Sequence, residues 1–321
     1  MASTYLTRTP SSSGNRKTWT LSMWVKRSND NYSQLSGTGT GSTYLIIGFG
    51  DTQPRILQST NAGEQVSVQI NNKCRDVNAY YHLVFRVDTT QATASNRIRI
   101  YINGEEGTYS ETDYPSQNLD MYYNYNILHG IGARSDGDSG FDGIISHVHF
   151  ADGQSLAPTV FGEEDSQTGE WKIKVDPSFT LGTNGFTILK DGNTITDQSS
   201  NSNDFTVGGG TVTNLKDNPS NNFCNINTLY QQTTGEGVVV NNCGNTVYYA
   251  SDSSRSCFAS IAPSSGKYYF EAKVFDKTRA VIGIVNMAWS GLNGATSAFH
   301  DNALNFGYDL SGQKTSGGSA S

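Results

Sequence analysis

The chain has 321 residues, of which 35% are hydrophobic, 11% aromatic and 16% charged, and its formal net charge is −7 at pH 7. A disordered chain is usually poor in aromatic residues and strongly charged, so this composition predicts a folded protein. The 22 basic residues are spread along the chain, and without a basic patch we expect no nucleic-acid partner. No apolar run reaches the roughly 18–20 residues of a membrane helix, so we expect no membrane insertion.

Apolar residues at every second position predict β-strands through the first half of the chain. The pattern recurs in residues 18–27, 80–88, 97–102 and 141–153, and a period of two is typical of a strand with one buried face. An Asn-Gly pair follows the third pattern and favours a tight hairpin turn. The residues expected to share buried faces are Trp19, Leu21, Met23 and Val25; Tyr81, Leu83, Phe85 and Val87; Ile98, Ile100 and Ile102; and Ile144, Val148 and Phe150. With polar segments between them and almost no helical periodicity, these strands predict an antiparallel sandwich.

Changes in composition divide the chain into three predicted parts. Residues 1–164 carry the alternating strands, and residues 165–254 are rich in Asn, Gly, Thr and Ser with only short apolar pieces. We interpret this middle part as a β-rich, ordered connector that packs on its neighbours. Residues 255–321 begin a second set of strands with the alternating segment 267–275. Because so few strands cannot close a sandwich alone, we expect either a longer native chain or a neighbouring chain that completes this sheet.

The order of the motifs resembles laminin-G-like, concanavalin A-type jelly-roll domains. The resemblance is carried by TWTLSMWVKR, by YYHLVFRVDTT followed by RIRIYINGE, and by FDGIISHVHFADGQSLAP. The segments RTPSSSGNRKTW and DTTQATASNRI are similar to the versions of this domain in structural proteins of marine tailed phages. The resemblance therefore implies an all-β protein whose first domain is a concanavalin A-like jelly-roll sandwich.

Later motifs extend the resemblance over most of the chain. GTNGF, SSNSNDFTV and DNPSNNF resemble the connector that accompanies this domain in such phage proteins. SGKYYFEAKV, VIGIV and LNFGYDL resemble the opening of a SPRY domain, another concanavalin-like sandwich. Together they imply a connector followed by a second, incomplete β-sandwich.

The family resemblance implies a component of the phage virion, assembled in the host cytoplasm. Its expected role is that of a fibre or appendage protein that attaches to host-surface glycans and binds other virion proteins. Phage fibres are commonly trimeric, so the resemblance also implies a homo-oligomer such as a trimer. The alternative is a capsid-decoration or connector protein that binds only other virion subunits.

Sequence motifs for catalysis are missing, so we expect no enzyme. Glycosidases on this fold need two carboxyl groups across a cleft, and the chain has no ExDxxE pattern on a strand. It also lacks a GxSxG nucleophile elbow and a GxxxxGK[ST] phosphate loop. A polysaccharide-degrading enzyme is therefore the least favoured of the three functions.

A Tyr- and Asn-rich segment is the candidate glycan-binding site. Tyrosine offers a flat apolar face to a sugar ring and a hydroxyl group to its polar edge, and asparagine can satisfy sugar hydroxyl groups. The alternative is that these tyrosines pack against the next strand or against a sister subunit. The candidate residues are Tyr122, Tyr123, Asn124, Tyr125 and Asn126.

Two groups of residues are candidate metal sites. Asp136, Asp138 and Asp142 form an acidic loop that could bind a structural calcium ion, and laminin-G-like domains often hold calcium at the sandwich rim. His147 and His149 lie two residues apart on one strand, but zinc needs a third ligand such as His82 or His129. We favour the interpretation of His147 and His149 as surface or groove side chains, and we expect no other cofactor.

The four cysteines have no CxxC spacing, which argues against a zinc site. A disulfide between Cys243 and Cys257 across a hairpin is one interpretation. We favour the other, four reduced thiols, which is consistent with synthesis in a cytoplasm.

Overall fold

The computed structural model describes residues 4–61, 65–77, 79–190, 195–231, 238–241, 246–249, 257–260, 267–275, 281–285, 306–316 and 319–320. The chain divides into two compact units, Met1–Phe223 and Cys224–Ser321. The sequence predicted boundaries after Glu164 and Ser254, so the division after Phe223 falls inside the predicted connector.

The first unit is built of antiparallel strands. Within the described ranges of this unit, the helical turns are two short 3₁₀ turns, Ala94–Asn96 and Pro158–Val160. The strands are β1 (Tyr5–Arg8), β2 (Thr18–Arg27), β3 (Ser33–Thr40), β4 (Thr43–Gly50), β5 (Gln53–Ser59), β6 (Gln65–Ile70), β7 (Tyr81–Asp88), β8 (Ile98–Ile102), β9 (Glu105–Glu106), β10 (Tyr109–Asp113), β11 (His129–Ile131), β12 (Gly143–Asp152), β13 (Gly162–Glu164), β14 (Trp171–Ile173), β15 (Phe186–Ile188) and β16 (Thr206–Gly209).

Two sheets of the first unit face each other across one hydrophobic core. The larger sheet has the order β10-β6-β5-β4-β3-β11-β1-β16, and the smaller one has the order β15-β12-β2-β7-β8-β9. Leu21 and Phe85 of the smaller sheet pack in the same cluster as Ile47 and Ile56 of the larger sheet. The predicted antiparallel sandwich is therefore confirmed, and its core is the layer between the sheets.

The buried faces predicted for three strands are confirmed. Asn103 and Gly104 form the predicted turn after β8, with φ of 49° and 85°, which are the left-handed values that a tight hairpin needs. The following residues lie in the core or pack against it: Trp19, Leu21, Met23 and Val25 of β2; Tyr81, Leu83, Phe85 and Val87 of β7; and Ile98, Ile100 and Ile102 of β8.

The fourth predicted face is wrong in part because β12 contains a bulge. Between Ser146 and His149 the strand advances by three residues while β2 advances by two. His147 within the bulge has φ of 49°. One extra residue reverses which side chains face the core. Ile145 rather than Ile144 therefore packs against the core before the bulge.

The connector contributes strands to both sheets. β15 pairs with β12 at one edge of the smaller sheet, and β16 pairs with β1 at one edge of the larger sheet. Phe186 and Phe205 belong to the same core cluster as the first-domain strands. Residues 165–209 are therefore part of the sandwich in structural terms.

A buried ion pair fixes the end of the first unit. Lys26 Nζ lies 2.9 Å from Asp217 Oδ2 and donates to Asn222 Oδ1 at 3.0 Å. The two charged side chains are 1% and 4% exposed. The Tyr80 hydroxyl group donates to the Asp217 carbonyl oxygen at 2.8 Å. The segment Asp217–Asn222 is thus held against β2.

Replacing one partner of this pair is expected to destabilise the unit strongly. Asp217→Ala leaves the Lys26 ammonium group buried without its counter-charge, and such a change costs about 3–5 kcal/mol of the free energy of unfolding. Urea unfolding followed by tryptophan fluorescence measures this loss. The double variant Lys26→Met/Asp217→Leu should recover most of it, because a buried pair can be replaced by apolar side chains at little cost. Wild-type stability in Asp217→Ala would contradict the role of the pair.

The second unit consists of short antiparallel strands. β17 pairs with β20, β18 pairs with β19, and β21 to β24 form a four-stranded sheet in chain order. The strands are β17 (Ile226–Gln231), β18 (Val238–Asn241), β19 (Thr246–Tyr249), β20 (Cys257–Ala259), β21 (Val281–Ile284), β22 (Phe306–Asp309), β23 (Lys314–Ser316) and β24 (Ser319–Ala320).

The alternating segment 267–275 was predicted as a strand and is not one. Its backbone is irregular. Tyr269 and Phe275 are 82% and 78% exposed, so none of the described residues supplies an apolar layer that would favour a strand there. The predicted apolar strand after it is present as β21, and its continuation lies outside the described residues. The SPRY-like character of this unit stays a prediction. The described part of the chain contains no helix of the length and hydrophobicity that a membrane crossing requires.

Candidate functional site

The Tyr- and Asn-rich segment forms a long loop between β10 and β11 and lies against the loop between β1 and β2. The Asn126 amide group donates to Ser13 Oγ at 3.1 Å, and the Gly14 amide group donates to the Asn124 carbonyl oxygen at 3.0 Å. Two loops therefore meet here at one end of the sandwich. Such loop clusters on a rigid scaffold are common sites of binding.

A tyrosine pair lies at the surface of this loop cluster, with Tyr125 exposed and Tyr122 half-buried. The rings of Tyr122 and Tyr125 lie 5.9 Å apart between centroids, and Tyr125 is 36% exposed. The guanidinium carbon of Arg16 lies 4.4 Å from the centroid of Tyr125, close enough for a cation–π contact. The exposed side chains of Asp120 and Asn126 flank the pair in the chain. We call Arg16, Asp120, Tyr122, Tyr125 and Asn126 the rim patch.

Hydrogen bonds to backbone atoms hold the rim patch in place. Arg16 Nε donates to the Met121 carbonyl oxygen at 2.7 Å. The Tyr122 amide group donates at 2.7 Å to Oε1 of Gln58, which is 1% exposed. These bonds fix the Tyr122 backbone and the Arg16 guanidinium group that contacts the Tyr125 ring, and a patch that is ordered before a ligand arrives has a lower entropy cost of binding.

Tyr123 and Asn124 are buried and are not part of the rim patch. Tyr123 is 2% exposed, and its ring centroid lies 5.0 Å from that of Trp19. Ser36 Oγ donates to a carbonyl oxygen, so the Tyr123 hydroxyl group donates to Ser36 Oγ, 2.8 Å away. Burial raises the pKa of Tyr123 to about 12. The structure therefore brings together three of the five predicted side chains on the surface, Tyr122, Tyr125 and Asn126.

A buried carboxylate joins the loops beneath the rim patch. Asp152 Oδ1 accepts from the Asn15 amide group at 2.7 Å and from Asn124 Nδ2 at 2.6 Å. Its Oδ2 accepts from the Asn184 amide group at 3.0 Å, and Asn184 Nδ2 donates to Asn124 Oδ1 at 2.9 Å. We call these four residues the Asp152 cluster. Sequence reasoning missed it because its members lie up to 169 positions apart between Asn15 and Asn184; the GTNGF motif around Asn184 was the available signal.

Three histidines are buried in neutral form. Trp171 Nε1 donates to His82 Nδ1 at 3.0 Å, which places the proton of His82 on Nε2, 2.8 Å from Ser22 Oγ. The His82 ring also stacks on Trp24 with 4.8 Å between centroids. Burial lowers the pKa of His82 to about 3. His82 is therefore a neutral packing residue on the outer face of the smaller sheet.

The other two neutral histidines lie under the loop cluster and on the outer face. His129 Nε2 accepts from the Asn124 amide group at 3.0 Å, and its Nδ1 donates to the Ile127 carbonyl oxygen at 2.7 Å. Burial lowers the pKa of His129 to about 4. His149 Nδ1 lies 3.0 Å from Thr187 Oγ1, and burial holds the pKa of His149 well below its usual value.

The comparison with protein families identifies the first part of the chain. Residues 2–161 match the family Laminin_G_3, described as the concanavalin A-like lectin/glucanases superfamily. These residues form a concanavalin A-like domain. The fold implied by the sequence resemblance is therefore confirmed, whereas the phage origin and the SPRY-like part stay predictions. A comparison with curated proteins finds none that matches the chain.

Several solved structures are similar to the chain at low identity. A putative carbohydrate-binding protein from Bacteroides ovatus is 16% identical over 67% of this chain and 59% of its own, with a TM-score of 0.39. A heptameric SAP-like pentraxin from Limulus polyphemus is 14% identical over 48% and 72%, with a TM-score of 0.36. Domain 4 of the arabinanase AbnA from Geobacillus stearothermophilus, in complex with arabinotriose, is 20% identical over 47% and 68%, with a TM-score of 0.36. Identities this low do not transfer a ligand to this chain.

The acidic loop of the concanavalin A-like domain does not assemble a calcium site. Arg134 Nη2 lies 2.6 Å from Asp136 Oδ2 and 3.5 Å from Asp138 Oδ2, and Arg134 lowers the pKa of Asp136. Asp142 Oδ2 instead accepts from Asn29 Nδ2 at 3.1 Å. Among the residues that the structure describes, no group of three His, Cys, Asp or Glu side chains could hold a metal ion. The three carboxyl groups predicted to share a calcium ion therefore bond other side chains instead, two of them Arg134 and the third Asn29.

The two adjacent histidines of β12 also differ from their prediction. His147 and His149 are 0% and 2% exposed rather than on the surface. Their ring centroids lie 6.4 Å apart, and His147 Nδ1 lies 2.7 Å from Ser146 Oγ. In the described ranges neither has the third ligand that the zinc alternative needs.

The described cysteines include free thiols. Cys74 of the concanavalin A-like domain is a buried free thiol, and burial raises its pKa to about 12, so it is a poor nucleophile. Cys224 is a free, exposed thiol. The alternative of a Cys243–Cys257 disulfide concerns Cys243, which lies outside the described residues.

Proposed function

We propose that the concanavalin A-like domain binds glycans through the rim patch and that it is not an enzyme. The observation that carries the proposal is the exposed Tyr125 ring, which contacts Arg16 and the half-buried Tyr122 and is flanked by Asp120 and Asn126. A pyranose ring has an apolar face that suits an exposed aromatic ring, and its hydroxyl groups suit a nearby carboxylate and amide.

The charge pattern of the rim patch fits binding better than catalysis. Asp120 is its single carboxyl group, whereas glycoside hydrolysis in most families uses two carboxyl groups on opposite sides of the bond. Arg16 supplies a cation that is already engaged with the Tyr125 ring and with two backbone carbonyl oxygens, of Met121 and Asp120. The patch can therefore hold a sugar but has no acid–base pair of its own.

The biological setting of this binding is a phage particle. The sequence segments RTPSSSGNRKTW and DTTQATASNRI resemble structural proteins of marine tailed phages. On this basis the protein is a fibre or appendage component of the virion, forms a homo-oligomer such as a trimer, binds other virion proteins and attaches to host-surface glycans.

A glycan array probed with the full chain tests the proposal. We expect binding to a subset of glycans, and we expect Tyr125→Ala to weaken it about tenfold, roughly 1.4 kcal/mol, since an aromatic contact at the centre of a small site supplies energy of this order.

Tyr32 provides the matched control. It is 38% exposed and stacks with Arg55 at 4.8 Å, so it has the same chemistry as Tyr125 but lies in a different loop. Tyr32→Ala should leave glycan binding unchanged. The proposal is wrong if the array shows no binding or if both variants bind like the wild type. Release of reducing sugar from host polysaccharide would contradict the non-enzymatic part.

A further inference from the structure

A groove opens on the outer face of the smaller sheet, away from the hydrophobic core. It has a volume of about 200 Å³, and its floor and walls come from β12, from β15 and from the connector segments on either side of β15. We call it the outer groove. Pockets for drug-sized ligands have volumes of roughly 300–1,000 Å³, so the outer groove fits one small ring rather than a chain of sugars.

One wall of the outer groove is aromatic. Phe179 is half-buried, and its ring packs edge-on against His149 with 5.9 Å between centroids. His149 in turn stacks on Phe161 at 5.6 Å. The two rings that line the groove are therefore fixed by packing behind them. An aromatic surface held in this way suits the apolar face of a sugar ring.

The other wall carries hydrogen-bonding groups. The Lys190 ammonium group pairs with the Asp176 carboxylate, and the Lys190 backbone amide group donates to Gln198 Oε1 at 3.2 Å. Gln198 is exposed, so its Nε2 amide group is accessible to a ligand as a donor. Thr187 Oγ1 bonds His149 on the floor at 3.0 Å. Donors and acceptors of both kinds thus face one small volume.

The charges of the outer groove cancel. Lys190 and Asp176 form one ion pair, and the buried imidazole group of His149 is neutral because desolvation holds its pKa well below the usual value. A ligand with a net charge would have to break the ion pair or leave its own charge uncompensated. A neutral ligand with many hydroxyl groups meets neither cost.

The backbone beside the groove is strained. His147 and Leu189 have φ of 49° and 57°, a left-handed conformation that is uncommon for residues with a Cβ atom. The His147 amide group donates to the Leu189 carbonyl oxygen at 2.8 Å, so the two strained positions face each other across β12 and β15. Strain of this kind often accompanies binding sites. Here it lies two residues before His149 in β12 and directly before Lys190 in the connector.

We propose that the outer groove is a second ligand site that binds one neutral sugar residue. The ring of the sugar lies on Phe179, which stands edge-on to the buried His149 ring at the floor, and its hydroxyl groups bond Asp176, Lys190 and Gln198. This site has the ligand class of the proposed function but shares no residue with the rim patch, so either site can fail without the other.

Saturation-transfer NMR on the full chain tests the second site. The probes are the methyl glycosides of glucose, galactose and mannose in the millimolar range. We expect at least one of them to receive saturation from the protein. Phe179→Ala and Gln198→Ala should each weaken its binding about tenfold, whereas Tyr125→Ala should leave the binding to the groove intact. Gln198 is exposed, so this second variant keeps the test valid if Phe179→Ala does not fold.

Three outcomes would overturn the proposal. The first is that no neutral glycoside binds in this range. The second is binding that both groove variants leave unchanged. The third is a preference for glucuronic acid or glucosamine over the neutral sugars, because the cancelled charges would then not set the specificity. If Tyr125→Ala alone abolishes all sugar binding, the rim patch stands and the outer groove does not.

Discussion

Lowering the pH from 7 to 4 is expected to unfold the first unit. His82 and His129 are neutral in the fold, where burial lowers their pKa values to about 3 and about 4. In the unfolded chain a histidine binds its proton near pH 6.5. Below that pH the unfolded chain therefore binds protons at these histidines, whereas the folded chain does not. The contribution of these histidines to the free energy of unfolding is fully present above pH 6.5. It is lost progressively as the pH falls towards their pKa values in the fold.

The expected loss is comparable to the whole stability of a domain. At pH 4 each of His82 and His129 costs about 3 kcal/mol, since one pKa unit corresponds to about 1.4 kcal/mol. Together they cost roughly 6 kcal/mol, against about 5–15 kcal/mol for a typical domain. His149 acts in the same direction because its pKa is also lowered by burial.

Urea unfolding at pH 7, 6, 5 and 4 measures this effect. The free energy of unfolding should fall steeply between pH 6 and 4, and the slope counts the protons taken up on unfolding. His129→Gln should reduce that slope by about one proton. A free energy that stays constant from pH 7 to pH 4 would show that these histidines are not buried in neutral form.

Removing the carboxylate of Asp152 is expected to be the most damaging single substitution in the loop region. Asp152→Ala deletes the acceptor for the amide groups of Asn15 and Asn184 and for the side chain of Asn124. A hydrogen bond to a charged group contributes about 1.5–3 kcal/mol, and a buried donor left without a partner costs a similar amount. We expect the free energy of unfolding to fall by about 4–6 kcal/mol.

Thermal and urea unfolding of Asp152→Ala test this expectation, and two further variants serve as comparisons. Asp152→Asn keeps the shape and one acceptor oxygen, so its loss should be intermediate. Asp113→Ala removes an exposed carboxylate at the end of β10 and should change stability by less than about 0.5 kcal/mol. Equal losses in Asp113→Ala and Asp152→Ala would contradict the role of the Asp152 cluster.

Four strands of the sandwich, β2, β7, β8 and β12, could be predicted because each one carries the local period of a half-buried sheet. The faces of β2, β7 and β8 follow from alternation alone. In β12 the same argument places Ile144 on the wrong face of the strand, because a single extra residue at His147 shifts the register. The local sequence pattern does not predict this bulge. For residues 267–275 the period is present without a strand, since no apolar layer lies against it in the described part of that unit.

The candidate site could be located by composition but not resolved residue by residue. The loop of tyrosines was visible in the sequence, yet it has no regular period that tells inward from outward side chains. Only the packing of Tyr123 against Trp19 and the bonds of Asn124 to Asp152 decide that these two residues point inward. The outer groove and the Asp152 cluster depend on residues far apart in the chain. Contacts between such residues cannot be predicted from a local sequence pattern.

The edge strands supplied by the connector determine which truncated fragments of the protein keep both sheets intact. The family match ends at residue 161, but β15 and β16 cover the open edges of β12 and β1. A fragment ending there would present unpaired backbone amide and carbonyl groups on both sheets, which invites association with other chains. The smallest fragment that keeps both edges paired and also keeps the buried Lys26–Asp217 ion pair extends through Phe223, the end of the first unit. The sequence family and the compact structural unit therefore have different ends.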